Sequence, residues 1–170
     1  MRTITTNLYQ YTELNAIAKN NAIRLLRQRC FEANDECTWE DANETMKVVE
    51  ESGNVYVDIC DNSQGFYVNN HYKKFEENEL TDEELFERFR DKYIRDYKEM
   101  LWCDHIMLNI VKEYKFDDSR SYSGNIGCMM VEFCKIIYNC TLDYFDDDNV
   151  EEWILGQDFE FLSDGRLYQQ

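Results

Sequence analysis

Val55-Tyr56-Val57-Asp58-Ile59-Cys60-Asp61-Asn62-Ser63-Gln64-Gly65-Phe66 is the stretch that decides the fold class. Val55, Val57 and Ile59 alternate with Tyr56, Asp58 and Cys60. This period of two suits a half-buried strand and no helix. Asp61 to Gly65 is a turn, and Phe66 to Tyr72 returns as a second strand. On both sides of this hairpin the apolar residues fall into helical spacing. The chain therefore reads as α+β: several helices, including a long central helix, packed on a small antiparallel or mixed sheet.

Downstream, Thr81 with Glu84 forms a capping box, and Leu80 with Leu85 a hydrophobic staple. The helix they open carries Phe86, Phe89, Tyr93, Tyr97 and Leu101 on one stripe. From Met100 to Val111 it is apolar on nearly every side, which predicts a buried, central half. Asp117 to Gly127 reads as a loop, and a further helix follows over about Ile126 to Tyr144. Asn149 with Glu152 predicts the cap of a short last helix ending at Gly156. Asp158 to Leu162 then alternates, Ser163-Asp164-Gly165 turns, and Arg166 to Tyr168 returns.

Upstream, Thr3 to Gln10 suits a first strand. Asn15 caps a helix to about Phe31, with Ile17, Ile23, Leu26 and Cys30 near one face. The polar run Phe31 to Glu36 reads as a connection. Thr38 then begins a second helix, with Asp41 at its third helical position and Gly53 after its end. Proline is absent and glycine sparse, so nothing marks a linker, and residues 1–170 read as a single domain.

Charge is the strongest functional signal. The chain has 35 acidic against 18 basic side chains, a formal net charge of −17 over 170 residues. Such a surface repels nucleic acid and anionic membranes and attracts basic proteins and cations. Aromatic residues make up 15%, too many for a disordered acidic tail. No apolar run reaches the length of a membrane span, and Met1 to Asn7 lack the apolar core of a secretory signal. With seven cysteines in no framework spacing, these features predict a reducing cytosol and free thiols. The blocks Glu76-Glu77 through Glu83, and Asp146-Asp147-Asp148 through Glu151, are the candidate partner-binding carboxylates. Tyr93, Tyr97, Tyr138, Tyr144, Phe145 and Trp153 interleave with acidic residues as candidate anchors.

No phosphate-binding loop, nucleophile elbow or calcium loop occurs, so no catalytic residue is assigned and the chain reads as a non-enzyme. Seven cysteines and two histidines raise the question of zinc. Cys128, Cys134 and Cys140 are spaced by six, which sends them to different faces of one helix. In Cys103-Asp104-His105 the outer residues point apart, and His105 lies on the apolar stripe as a core histidine. Cys30 and Cys37 flank the expected inter-helix connection, where both thiolates can converge. Zinc would then need further ligands from Cys60, His71, Cys103 or His105, with His105 and Cys60 preferred. The competing reading is that all are small buried thiols.

Two segments carry a resemblance. Tyr9-Gln10-Tyr11-Thr12-Glu13-Leu14-Asn15-Ala16-Ile17-Ala18-Lys19 is similar to the opening of a group of small acidic phage and prophage proteins. Leu142-Asp143-Tyr144-Phe145, Val150 to Ile154, and Phe159 to Tyr168 resemble their ending. The hairpin from Val55 to Tyr67 fits less closely. Among such proteins the chain looks like a type II-A anti-CRISPR protein, an inhibitor of Cas9. The resemblance implies a phage-encoded protein in the bacterial host cytoplasm. It would bind a basic surface of Cas9 and block nucleic-acid loading or cleavage without catalysis. It carries over no functional residue. The alternative is a small metal-stabilised phage accessory protein with another host partner.

Overall fold

The computed structural model describes residues 7–62, 64–73 and 80–168. Among them, seven regular elements follow in order: α1 (Ala16–Gly53), β1 (Val55–Asn62), β2 (Gly65–Lys73), α2 (Asp82–Asp96), α3 (Asp104–Glu113), α4 (Tyr122–Leu142) and α5 (Asp147–Leu155). Short 3-10 turns precede α1 and α5, at Tyr11–Glu13 and Asp143–Phe145. The class is α+β, with one two-stranded antiparallel sheet among the described residues. No helix of the described residues is long and apolar enough to cross a membrane.

α1 departs most from the sequence reading. Its cap is as expected, since Asn15 Oδ1 accepts from the Ala18 amide at 3.0 Å. The helix then runs for 38 residues, straight through the expected connection at Phe31 to Glu36. That run contains no glycine or proline, and Glu, Ala, Asn and Asp continue a helix at small cost. Their polarity reports outward-facing positions, not a helix end. Thr38 is accordingly a buried mid-helix residue, and Ile17 is exposed. The end comes where expected: Asn54 takes the left-handed conformation, φ 50°, that asparagine tolerates after a helix.

Contacts group the chain into two compact units, one of residues up to Glu36 with those from Cys140 onward, the other Cys37–Asn139. In the first, Tyr11, Leu14, Ala18, Ala22, Ile23, Leu26 and Cys30 are buried with Val150, Ile154 and Phe161. The positions 18, 22, 26 and 30 recur every four residues, so one stripe of α1 supplies this core. Of the expected first strand, residues 3–6 lie outside the described residues. Tyr9 forms a single antiparallel bridge, with reciprocal bonds to Phe161 of 3.0 and 2.9 Å. The C-terminal turn forms as expected: Phe161 bridges Leu167, and Gly165 sits at φ +84°. α5 starts earlier than expected, at Asp147. Asn149 is therefore not its cap and instead donates to the Asp143 carbonyl at 2.8 Å.

The second unit holds the sheet. β1 and β2 pair from Val55 with Lys73 to Asn62 with Gly65. A bulge between Asp58 and Ile59 leaves Asn69 unpaired, so that Val68 rather than a polar residue stands opposite Ile59. α4 covers this face with Gly127. A methyl group there would stand 2.8 Å from Val68 Cγ2 and 3.3 Å from Val57 Cγ1. Phe86, Phe89, Met107, Val111, Ile126, Met129, Phe133 and Ile137 fill the rest of this core. α4 opens at Tyr122, four residues earlier than expected, where Ser121 Oγ accepts from the Gly124 amide at 3.2 Å. Buried Asn125 ties the preceding loop down through the Asp117 amide and carbonyl, at 2.8 and 3.1 Å.

The expected long helix from Thr81 is in fact two. Its capping box forms, with Thr81 and Glu84 bonded reciprocally. α2 ends at Asp96, and seven residues intervene before α3. The long helix of the fold is α1 instead. Arg90 on α2 donates to the Val111 and Tyr114 carbonyls, which satisfies the otherwise open C-terminal end of α3.

Candidate functional site

The break between α2 and α3 brings a buried carboxylate and a cavity together. Asp104, 8% exposed, lies in the first turn of α3. Its Oδ2 accepts from the Met100 and Leu101 amides, each at 2.9 Å. Its Oδ1 accepts from Thr45 Oγ1 of α1 at 2.6 Å. A short acidic side chain thus competes with the helical ladder for two amides and wins. Thr45 has one hydroxyl proton, and it goes to Asp104. The 3.1 Å contact between Thr45 Oγ1 and Cys103 Sγ is then donated by the thiol. Burial raises the Cys103 pKa, which keeps that thiol protonated.

A cavity of about 440 Å³ opens beside this network. Glu44, Thr45 and Val48 of α1 form one wall, and Tyr93, Asp96 and Tyr97 another. Ser52, Lys98, Met100, Leu101 and Asp104 complete it. Burial first, then the Asp104 carboxylate, raises the Tyr93 phenol well above its ordinary value. Tyr97 differs: its hydroxyl is buried and has no hydrogen-bond partner among the described residues. Glu44 pairs with Lys47, and Asp96 with Arg95 at 2.8 Å, both on the open surface. Such exposed pairs contribute little and exchange readily. Asp104 joins no ion pair among the described residues; backbone amides and a hydroxyl alone hold its charge. Among the lining residues, Met100 is 83% exposed, and Val48 is exposed as well. An apolar centre with a charged rim is the anatomy of a protein-binding patch.

The residues singled out from sequence fall elsewhere. Asp146, Asp147 and Asp148 are exposed and Glu151 half-buried, all in the first unit. Asp147 is engaged by Arg27 of α1. Glu151 and Asp147 also stand beside Tyr11, whose phenol is pushed up to about 12 by burial and then by these carboxylates. This block is therefore partly spent within the molecule. Glu83 is exposed in the first turn of α2, where the helix dipole favours it. Glu76 and Glu77 lie outside the described residues.

The zinc arrangement loses its geometry. Cys30 and Cys37 sit two turns apart on the unbroken α1, about 10 Å along its axis, while two zinc-bound thiolates each lie about 2.3 Å from one ion. Cys60 is half-buried on β1. His105 is exposed on α3 rather than in the core. The side chain of His71 lies outside the described residues. Among the described residues no three His, Cys, Asp or Glu side chains are grouped to hold a metal ion.

Sequence reading named Tyr93 and Tyr97 as anchors but missed Glu44, Asp96, Met100 and the role of Asp104. One signal for Asp104 was present, a lone carboxylate inside the apolar run Met100 to Val111. Comparison of the chain with family models, curated proteins and solved structures finds no match.

Proposed function

We propose that the chain is a non-catalytic inhibitor that docks on a basic, nucleic-acid-binding surface of a Cas9 nuclease in the bacterial cytoplasm. The observation that carries the binding reading is the cavity beside Asp104. Its carboxylates and tyrosines surround an apolar mouth on a chain of net charge −17. An acidic face of this kind competes for the cations that otherwise hold phosphates. The choice of Cas9 as the basic partner rests on the likeness of the chain's two ends to type II-A anti-CRISPR proteins. Among the described residues no grouped metal ligands favour the metal-stabilised alternative.

The test is gel filtration and target cleavage with purified Cas9 orthologues, with and without guide RNA. A complex should form at low salt and weaken as salt screens the rim charges. Cleavage should fall as the complex forms. Unchanged cleavage and no co-elution across the orthologues overturn the reading. A triple variant, Asp147→Lys, Asp148→Lys and Glu151→Lys, should inhibit nearly as well as the parent, because the docking face is on the second unit. Loss of inhibition in that variant, with the fold retained, returns the face to the first unit.

A further inference from the structure

We infer that the cavity beside Asp104 is an arginine socket, which receives one guanidinium from the surface of the partner protein. This rests on the reading of the chain as a binder of basic proteins, and it names the group that is bound. Three observations converge on it. First, Asp104 is buried and joins no ion pair among the described residues. A carboxylate offers about four lone-pair sites, and three are occupied, which leaves Oδ1 one open acceptor position. Second, Tyr97 lines the same cavity, and its hydroxyl is buried with no partner among the described residues. A buried polar atom left open is costly in the free protein and is relieved by an incoming donor. Third, Tyr93 and Tyr97 present aromatic surface, and Val48, Met100 and Leu101 present apolar surface. Arginine matches this combination: its methylene stem packs on the apolar wall, its planar head stacks on tyrosine, and its forked donors reach a carboxylate and a phenol oxygen together. A volume of about 440 Å³ admits one such side chain and not a folded segment. The exposed rim carboxylates Glu44 and Asp96 steer the cation in, while Lys98, also in the wall, opposes binding unless it swings outward.

The experiment uses the full chain and two capped peptides, acetyl-Gly-Arg-Gly-amide and the same peptide with citrulline, the neutral isostere of arginine. Amide chemical shifts are followed by NMR during titration. The arginine peptide should shift Tyr97, Met100, Leu101 and Asp104 together, with an affinity about tenfold above the citrulline peptide. Tyr97→Phe removes only the unpartnered hydroxyl, so its melting temperature should match or exceed the parent's. Its affinity for the arginine peptide should fall about fivefold. Equal affinity for the two peptides, shifts centred on the Asp146 to Glu152 segment, or no response to either peptide overturns the socket. Association with Cas9 that Tyr97→Phe leaves unchanged also overturns it, while the function reading stands. Arginine-specific shifts in a chain that binds no Cas9 have the opposite meaning: the socket stands and the choice of partner falls.

Discussion

At Gly165 the C-terminal turn packs directly against α1. A methyl group there would lie 2.0 Å from the Ala18 carbonyl oxygen, and the backbone is at φ +84°, a conformation that L side chains rarely adopt. Asn21 Nδ2 fixes the same turn by donating to the Asp164 carbonyl at 2.7 Å. Gly165→Ala should therefore cost more than about 2 kcal/mol in chemical denaturation, with the loss of protection concentrated in the first unit. Equal stability would mean that the turn moves away freely. The glycine's need for a turn was legible in Ser163-Asp164-Gly165. Its close approach to Ala18 was not, because nothing local says which helix the turn meets. Thr45 and Asp104 repeat this: an aspartate in an apolar run signals competition with the backbone, but its hydroxyl partner lies 59 positions away. Replacing Asp104 with alanine strands two amides and one buried hydroxyl, and should destabilise the fold by roughly 3 kcal/mol or more.

Several element boundaries follow local capping chemistry, though those expected at Thr38 and Asn149 do not. The Thr81–Glu84 box, the Asn15 cap and the hairpin turn are each written within a few residues, and each forms. Glu84 gives a direct measure of its cap. The Thr81 backbone amide, at 2.7 Å, and then its hydroxyl donate to the Glu84 carboxylate, which holds its pKa below the ordinary 4.5. The sign follows from the depressed folded value. The cap's contribution is complete above 4.5 and is lost as pH falls through the folded value. An NMR titration should find the Glu84 midpoint below the ordinary 4.5, and Thr81→Ala should bring it back up. The unbroken α1 and the divided α2–α3 region depart from expectation for a common reason: polar residues suggest an interruption and apolar residues continuity. Side-chain polarity tells which way a position faces, whereas helix ends are set by who accepts the backbone protons.

For the whole molecule, charge and buried phenols set the working range. Burial is the first cause raising Tyr11 and Tyr114 to about 12, and it raises Tyr93 and Tyr122 further. These phenols are neutral in the fold and ionise at about 10 once unfolded. Stability is therefore full below pH 10 and falls as pH rises above it. Melting temperatures should drop steeply above about pH 10, with phenolate absorbance appearing in step with unfolding rather than before it. Phenolate formation in a still-folded chain would contradict the burial of these side chains. The fold class and the acidic character were legible from composition and period. The arrangement of charge was not: α1 keeps Lys19, Arg24, Arg27 and Arg29 in its first half, where Asp147 engages Arg27.

The first unit joins residues before Glu36 to residues after Cys140, through the Tyr9–Phe161 bridge and the Gly165 contact with α1. On the ribosome these two parts are made far apart in time. Synthesis at roughly 5–20 residues per second separates them by several seconds. The second unit emerges as an unbroken stretch and is free to fold in the interval. Leu14, Ile23 and Leu26 must meanwhile wait, uncovered, for Ile154 and Phe161 to arrive. The late-made hairpin thus closes a surface that is open to chaperones and to aggregation throughout translation.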